Sequence, residues 1–274
     1  MPVNSSKLKK FNQILDKIKN VKVQGARNIA RKALYAYSLL QTPHSKKLLL
    51  SARPTEPMMA RVLKEMEKKT YKEITKHFDF AQNKINSYVF KTIKKSDIIF
   101  THCHSTNVVN ALKYSKRKGK KFEIYNTETR PLMQGRKTAL ELKKAGIKVT
   151  MFVDSAAMMA LTKEQEGRKV TKVFLGADAL LNNGIINKIG SGMFSKIAND
   201  NNIPIYIIAD SWKYTSKKIP IENRKLNEVW NRAPKKIKIQ NPAFEFVPKK
   251  YIKFIISELG ILKYDQFLKY LGSS

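Results

Sequence analysis

Apolar positions fall into two textures along the chain. Up to about residue 95 they recur at three- and four-residue spacing: Leu8, Phe11, Leu15 and Ile18, then Ile29, Ala33, Ala36, Tyr37 and Leu40. That period lines them up on one face of an α-helix. Residues 1–20 read as a polar helix with a single apolar stripe. Pro54 and Pro57 bracket the start of a further helix carrying Met58, Val62 and Met66, since proline is tolerated in a first turn and not beyond it. A last helix over 71–95 aligns Ile74, Phe78, Ala81, Ile85 and Val89.

From Asp97 onward the pattern becomes short continuous apolar runs at 98–100, 122–125, 149–153, 173–175 and 205–208. Helical stretches at 108–118, 137–145, 155–161 and 188–199 lie between them. Uninterrupted apolar strands joined by helices predict a parallel sheet covered on both faces. The predicted fold class is α/β, with a helical N-terminal domain over 1–95 and a doubly wound, Rossmann-like parallel-sheet domain over 96–274. No internal repeat or low-complexity linker interrupts it. The basic run 235–238 reads as a solvated loop.

Composition narrows the function classes. Of 274 residues, 54 are Lys or Arg and 21 are Asp or Glu, a formal charge of +33. A hydrophobic content of 42% excludes a disordered polyelectrolyte, which lacks apolar residues to offset ordering entropy. Apolar runs such as 203–209 fall far short of the roughly 18–20 residues a bilayer requires, so no membrane role is expected. No basic-then-apolar leader opens the sequence, and the location expected is cytoplasmic. The single cysteine, Cys103, leaves no internal disulfide and no multi-cysteine metal site, and fits a reducing compartment. The charge has two readings, a polyanion-binding surface or a lysine-, isoleucine- and asparagine-rich composition. No nucleic-acid-binding motif accompanies it.

In an open parallel sheet, ligands bind outside the carboxyl ends of the strands. The residues just after each apolar run are therefore informative. The first run leads into Thr101-His102-Cys103-His104-Ser105-Thr106-Asn107, the second into Asn126-Thr127-Glu128-Thr129-Arg130-Pro131 with Gln134-Gly135 behind it. Asp154-Ser155-Ala156-Ala157 comes after the third. Gly176-Ala177-Asp178 comes after the fourth, with Asn183-Gly184 and Asn187-Lys188-Ile189-Gly190 beyond it, and Asp210-Ser211-Trp212-Lys213 comes after the fifth. All five strand ends carry chemically capable residues on one edge. A lone cysteine is usually a small buried hydrophobe. Here Ser105 or Thr106 caps the following helix, whose N-terminus favours a thiolate at Cys103 and anionic ligands alike.

Together with Gln24-Gly25-Ala26 and Ala52-Arg53-Pro54-Thr55, these motifs make the chain similar, over about residues 21–260, to one family. That family unites the alpha, beta and delta subunits of translation initiation factor 2B with two sugar-phosphate isomerases, ribose-1,5-bisphosphate isomerase and methylthioribose-1-phosphate isomerase. The resemblance implies a catalytic pair, Cys103 and Asp178. It implies a substrate-binding set of Gln24, Gly25, Ala26, Arg27, Arg53, Ser105, Thr106, Asn107, Gln134, Asn187, Lys188 and Lys213, with Glu128 and Gln134 as positioning groups. It implies no metal and no cofactor, and a homo-oligomer, dimer or hexamer, paired through the α/β domain. The pair favours an enzyme, with ribose 1,5-bisphosphate to ribulose 1,5-bisphosphate in nucleoside-monophosphate (AMP) degradation as the expected reaction. The alternatives are a non-catalytic regulatory subunit binding initiation factor 2, RNA or a nucleotide, and a methylthioribose-1-phosphate isomerase. The chain departs from the isomerase pattern at Gln24, where arginine is usual, and at His104, where asparagine is. Arg27 lies three residues on and is a substitute phosphate ligand.

Overall fold

The computed structural model describes residues 5–162 and 168–272. Five helices come first: α1 (Ser5–Lys19), α2 (Ala26–Leu39), α3 (Pro43–Ala52), α4 (Pro57–Glu65) and α5 (Tyr71–Thr92). The first four residues of the helix expected over 1–20 lie outside the described residues. The stripes read from the sequence meet in one core, where Phe11, Ile18, Ile29, Ala33, Val62, Ile74 and Phe78 are buried together with Leu49 of α3. α3 is a helix that apolar spacing did not indicate. It is held at its start by Thr42 and Ser45, which cap each other's backbone reciprocally. Thr70 and Glu73 do the same for α5, satisfying amides that the first helical turn leaves open. α5 stops at Thr92, short of residue 95, because Ile93 is already extended.

The second half alternates strands and helices: β1 (Asp97–Thr101), α6 (Thr106–Arg117), β2 (Phe122–Thr127), α7 (Gln134–Lys144), β3 (Lys148–Phe152), α8 (Ala157–Leu161) and β4 (Lys172–Leu175). β5 (Ala179–Leu180), β6 (Gly184–Lys188), α9 (Ser191–Asp200), β7 (Ile205–Ile208), β8 (Phe244–Pro248), β9 (Phe254–Ser257), β10 (Gly260–Leu262) and α10 (Tyr264–Gly272) come next. Seven strands form one sheet in the order β10-β9-β7-β4-β1-β2-β3. All its pairs are parallel except the terminal β9–β10 hairpin. The chain runs outward from β1 to β3, then returns to place β4 on the other side of β1. The crevice between β1 and β4 is thus the topological switch point.

α5 and α6 cover one face of this sheet, burying Ile85, Val89, Val108 and Leu112 against Ile99, Phe174 and Ile208. α8, α9 and α10 cover the other, through Ala160, Phe194, Ala198 and Phe267 against Phe100, Val173 and Ile207. Two expectations need correcting. The stretch 188–199 is not one helix. Lys188 ends β6, which pairs antiparallel with β8 in a separate three-stranded sheet, and α9 begins only at Ser191. The run at 149–153 is a strand, but not one covered on both faces. β3 is an edge strand, with Met151 46% exposed and Val153, just after it, 55% exposed. The basic run 235–238 is exposed loop. No helix among the described residues is long and apolar enough to cross a membrane.

Candidate active site

The loops leaving β1 and β4 open into one cavity. Every residue that the sequence assigned to catalysis or binding lines it. From the helical half come Gln24, Gly25, Ala26 and Arg27 at the start of α2, and Arg53 at the end of α3. From the α/β half come Cys103, Ser105, Thr106 and Asn107 between β1 and α6, Gln134 at the start of α7, Asp178 after β4, Asn187 and Lys188 on β6, and Lys213 after β7. Residues at the N-termini of three helices, α2, α6 and α7, therefore line the same space, where helix dipoles favour anions. Gly25 precedes α2 at φ 84°, a left-handed conformation that side chains with a Cβ rarely adopt. Gly176 lets β4's loop close on α6: a Cβ there would lie 2.6 Å from Ser105 Oγ.

Cys103 is fixed by its backbone. Its amide donates to Thr129 Oγ1 (3.0 Å), and its carbonyl accepts from Thr138 Oγ1 (2.8 Å). These contacts hold it at φ 65°, an uncommon conformation for a residue with a Cβ. Thr129 is itself placed by Asp154, whose two carboxylate oxygens accept the amides of Thr129 (2.9 Å) and Arg130 (2.6 Å). The Asp-Ser-Ala-Ala motif thus acts by setting the loop that seats the cysteine. The thiolate expected from the sequence is not what burial favours. Burial pushes the thiol up to about 11, outweighing Lys188 and the His104 amide, which pull it down. The helix-end effect has the right sign and too small a size: desolvation of a charge in an apolar site is the larger energy.

The other groups show the same contest. Burial raises the Asp178 carboxyl well above its ordinary range, against Lys213, Lys188 and Arg53. Lys213 is pushed down by burial and held up by Asp178, Asp210 and Glu56, while its Nζ donates to Ala177 O (2.6 Å). Arg53 donates from Nη2 to Glu56 (3.1 Å) and contacts Glu222 (3.0 Å), while its buried Nε and Nη1 have no protein partner. Such orphaned guanidinium donors fit an anion. Arg27 is steered by Gln82 (3.0 Å) and Asp79 (3.1 Å). Asn107 joins that chain by donating its amide to Gln82 (3.1 Å). Gln134 reaches Gln24 (3.4 Å) and leaves its buried Oε1 free. Asn187 donates to Ser191 (2.8 Å), and Lys188 lies 4.9 Å above the Phe244 ring.

His102 and His104 have supporting roles. His102 is buried between Thr127 Oγ1 (2.6 Å) and Ile189 O (2.9 Å), and burial drops it to about 4. It is a neutral ring that donates from Nε2 to Ile189 and accepts at Nδ1. His104 sits 3.0 Å from Thr138 Oγ1, and burial lowers it too. Glu128 does not line the cavity and pairs with Arg136 (3.0 Å). The cavity also holds Glu56, Lys137, Arg224 and Phe244, which the sequence motifs passed over. Only Glu56 had a local signal, directly after Arg53-Pro54-Thr55. The strap between β7 and β8 (214–243), which carries Glu222 and Arg224, and β8 with Phe244 arrive through pairings remote in sequence.

A model of the initiation factor 2 subunit family matches residues 44–264. The chain belongs to that family. Within it, the chain is 33% identical over 296 aligned residues to the ribose 1,5-bisphosphate isomerase of Methanocaldococcus jannaschii, covering 96% of this chain and 94% of that protein. It is 36% identical over 213 residues to the 5-deoxyribose 1-phosphate isomerase of Bacillus cereus, covering 70% and 60%. Among solved structures, the translation initiation factor eIF-2B of Pyrococcus horikoshii superposes with a TM-score of 0.79 at 24% identity, covering 92% of this chain and 96% of that one. That last likeness is one of fold.

Proposed function

We propose that the protein is an aldose–ketose isomerase of phosphorylated pentoses, converting ribose 1,5-bisphosphate to ribulose 1,5-bisphosphate. The observation that carries this reading is the meeting of Cys103 and Asp178 at the β1/β4 switch point, in a cavity that also presents Arg27, Arg53, Lys188 and Lys213. Two phosphates bring about four negative charges at neutral pH, and cations with convergent helix N-termini offset them. The long match to an isomerase of that substrate supports the choice.

A pentose with phosphate on its anomeric oxygen cannot open as a free hemiacetal does. In our reading the Cys103 thiolate removes the proton on C2, and that electron pair becomes the C1=C2 double bond. The C1–O4 bond breaks onto the ring oxygen, which takes the proton of Asp178. The resulting open-chain phospho-enediol gives its C2 hydroxyl proton to the Asp178 carboxylate and receives at C1 the proton held by Cys103. A ketone remains, with both groups restored. The working state therefore carries its proton on Asp178 and not on Cys103. Burial supports the first half of that requirement. Lys188 and the His104 amide ease the second. The homo-oligomer we expect has its support in the exposed apolar edge at Met151, Val153, Met158 and Met159.

The test is a screen of purified protein against ribose 1,5-bisphosphate, 5-deoxyribose 1-phosphate and methylthioribose 1-phosphate, with ketose formation followed for wild type and Asp178→Asn. Turnover of the bisphosphate above the other two, lost in the variant, is expected. No turnover of any of them by folded protein would overturn the reading.

A further inference from the structure

The cavity contains one carboxyl group that the proposed reaction does not use. Glu56 precedes Pro57 at the start of α4 and is 3% exposed. Its Oε1 accepts from Arg53 Nη2 at 3.1 Å, and its Oε2 is buried with no partner. Arg53 Nη2 also lies 3.0 Å from Glu222, so one guanidinium nitrogen serves two carboxyls while two further nitrogens stay unpartnered. The groups facing Glu56 are Arg53 from the end of α3, Asp178 after β4, Lys213 after β7 and Glu222 from the strap. Lys213 is already engaged with Ala177 O, and Glu222 is shared with Arg224. Three acids thus crowd a buried space in which Arg53 keeps two guanidinium nitrogens unpartnered. A phosphate entering this space competes with Glu56 for Arg53 and is repelled by it, unless Glu56 carries a proton.

We propose that Glu56 is a proton-linked ligand-binding group, which takes up a proton when a phosphate enters the cavity, releases Arg53 Nη2 to it and faces it as a neutral hydrogen-bond donor. This rests on the reading of the cavity as a sugar-phosphate site and adds the device by which that site accepts its ligand's charge. Burial first, then Asp178, raises Glu56 to about 8, against Arg53 and Lys213. A buried carboxyl that titrates there is ionised in mildly alkaline solution and is converted to the neutral acid by a modest added negative charge.

The experiment is calorimetric titration with inorganic phosphate at pH 8.5 in two buffers of different ionisation enthalpy, which counts protons taken up on binding. With a free pKa of about 8, roughly three-quarters of Glu56 is ionised at that pH, so wild type is expected to take up about 0.7 proton per phosphate bound. Glu56→Gln, which keeps the donor and cannot ionise, is expected to take up less than about 0.2. In wild type alone, phosphate affinity is expected to fall about 25-fold between pH 7.5 and 9.5, a trend that needs no variant to fold. Equal proton uptake in wild type and Glu56→Gln, or a flat affinity across that range, overturns the proposal. Both readouts are independent of turnover, so a protein that isomerises none of the pentoses but shows the uptake overturns the isomerase reading and leaves this proposal standing.

Discussion

The ionisation of Cys103 can be read from its rate of alkylation. Burial moves the thiol from 9.0 to about 11, which is roughly 2.7 kcal/mol against the thiolate. Below pH 9 the native thiolate is then about 100-fold scarcer than that of an ordinary thiol, and at pH 7 it is about one part in ten thousand. The perturbation is pH itself, and the assay is the rate of iodoacetamide labelling followed by mass spectrometry from pH 6.5 to 10. Since Cys103 is the only cysteine, the label has one source. Native labelling at pH 7 should run about 100-fold slower than in denaturant and climb about tenfold per pH unit through pH 10. Lys188→Met should slow it further, because Lys188 is the group that most favours the thiolate. A native rate that levels off near pH 8 would refute the argument, showing that the helix end and Lys188 outweigh desolvation.

Two further outcomes are expected from the same geometry. Gly176→Ala should destabilise the fold by about 1–3 kcal/mol, because its Cβ meets Ser105 at 2.6–2.7 Å; chemical denaturation should show Ser105→Gly restoring most of that loss, and additive losses would refute the contact. His102, held neutral with burial depressing it to about 4, contributes stability that is present above its unfolded value near 6.5 and lost as pH falls towards 4; the stability gap between wild type and His102→Gln should therefore shrink by up to about 3 kcal/mol between pH 7 and pH 4, and a constant gap would show that the ring is protonated in place.

Which features were legible in the sequence depends on which contacts are local. β1, β2, β4 and β7 were visible because strands buried on both faces must be apolar throughout, and the residues after them were visible because a parallel sheet sends every carboxyl end to one edge. Lys188 was placed at the start of a helix that begins only at Ser191. What makes the segment a strand is Phe244–Pro248, nearly sixty residues away. The apolar run of β3 looked like the others, yet Met151 and Val153 face outward; an apolar pattern registers that a residue is to be covered and not by what. Cys103 was read as a thiolate, whereas burial pushes its thiol up. The helix end is written in local sequence, whereas desolvation depends on every wall of the cavity.

That last point bears on how the site is built. Burial raises Asp178 and Cys103 alike, so in the proposed reaction one property of the walls favours the acid and disfavours the base. The chain separates the two through neighbours and not through burial. Lys188 acts on both groups, but the His104 amide bonds to the sulfur alone, and the positive φ of Cys103, fixed by Thr129 and Thr138, keeps the thiol beside that amide. Glu222 pushes Asp178 the other way, further towards its protonated form. Bound phosphates would push both groups towards protonation, which makes the number of cations matter as much as their presence. The pairings of Arg53 with Glu56 and Glu222, and of Arg27 with Asp79, hold these cations in place. Each pairing is one that an entering phosphate must loosen, so the same carboxylates that let buried arginines fold also set how strongly a ligand must bind to claim them.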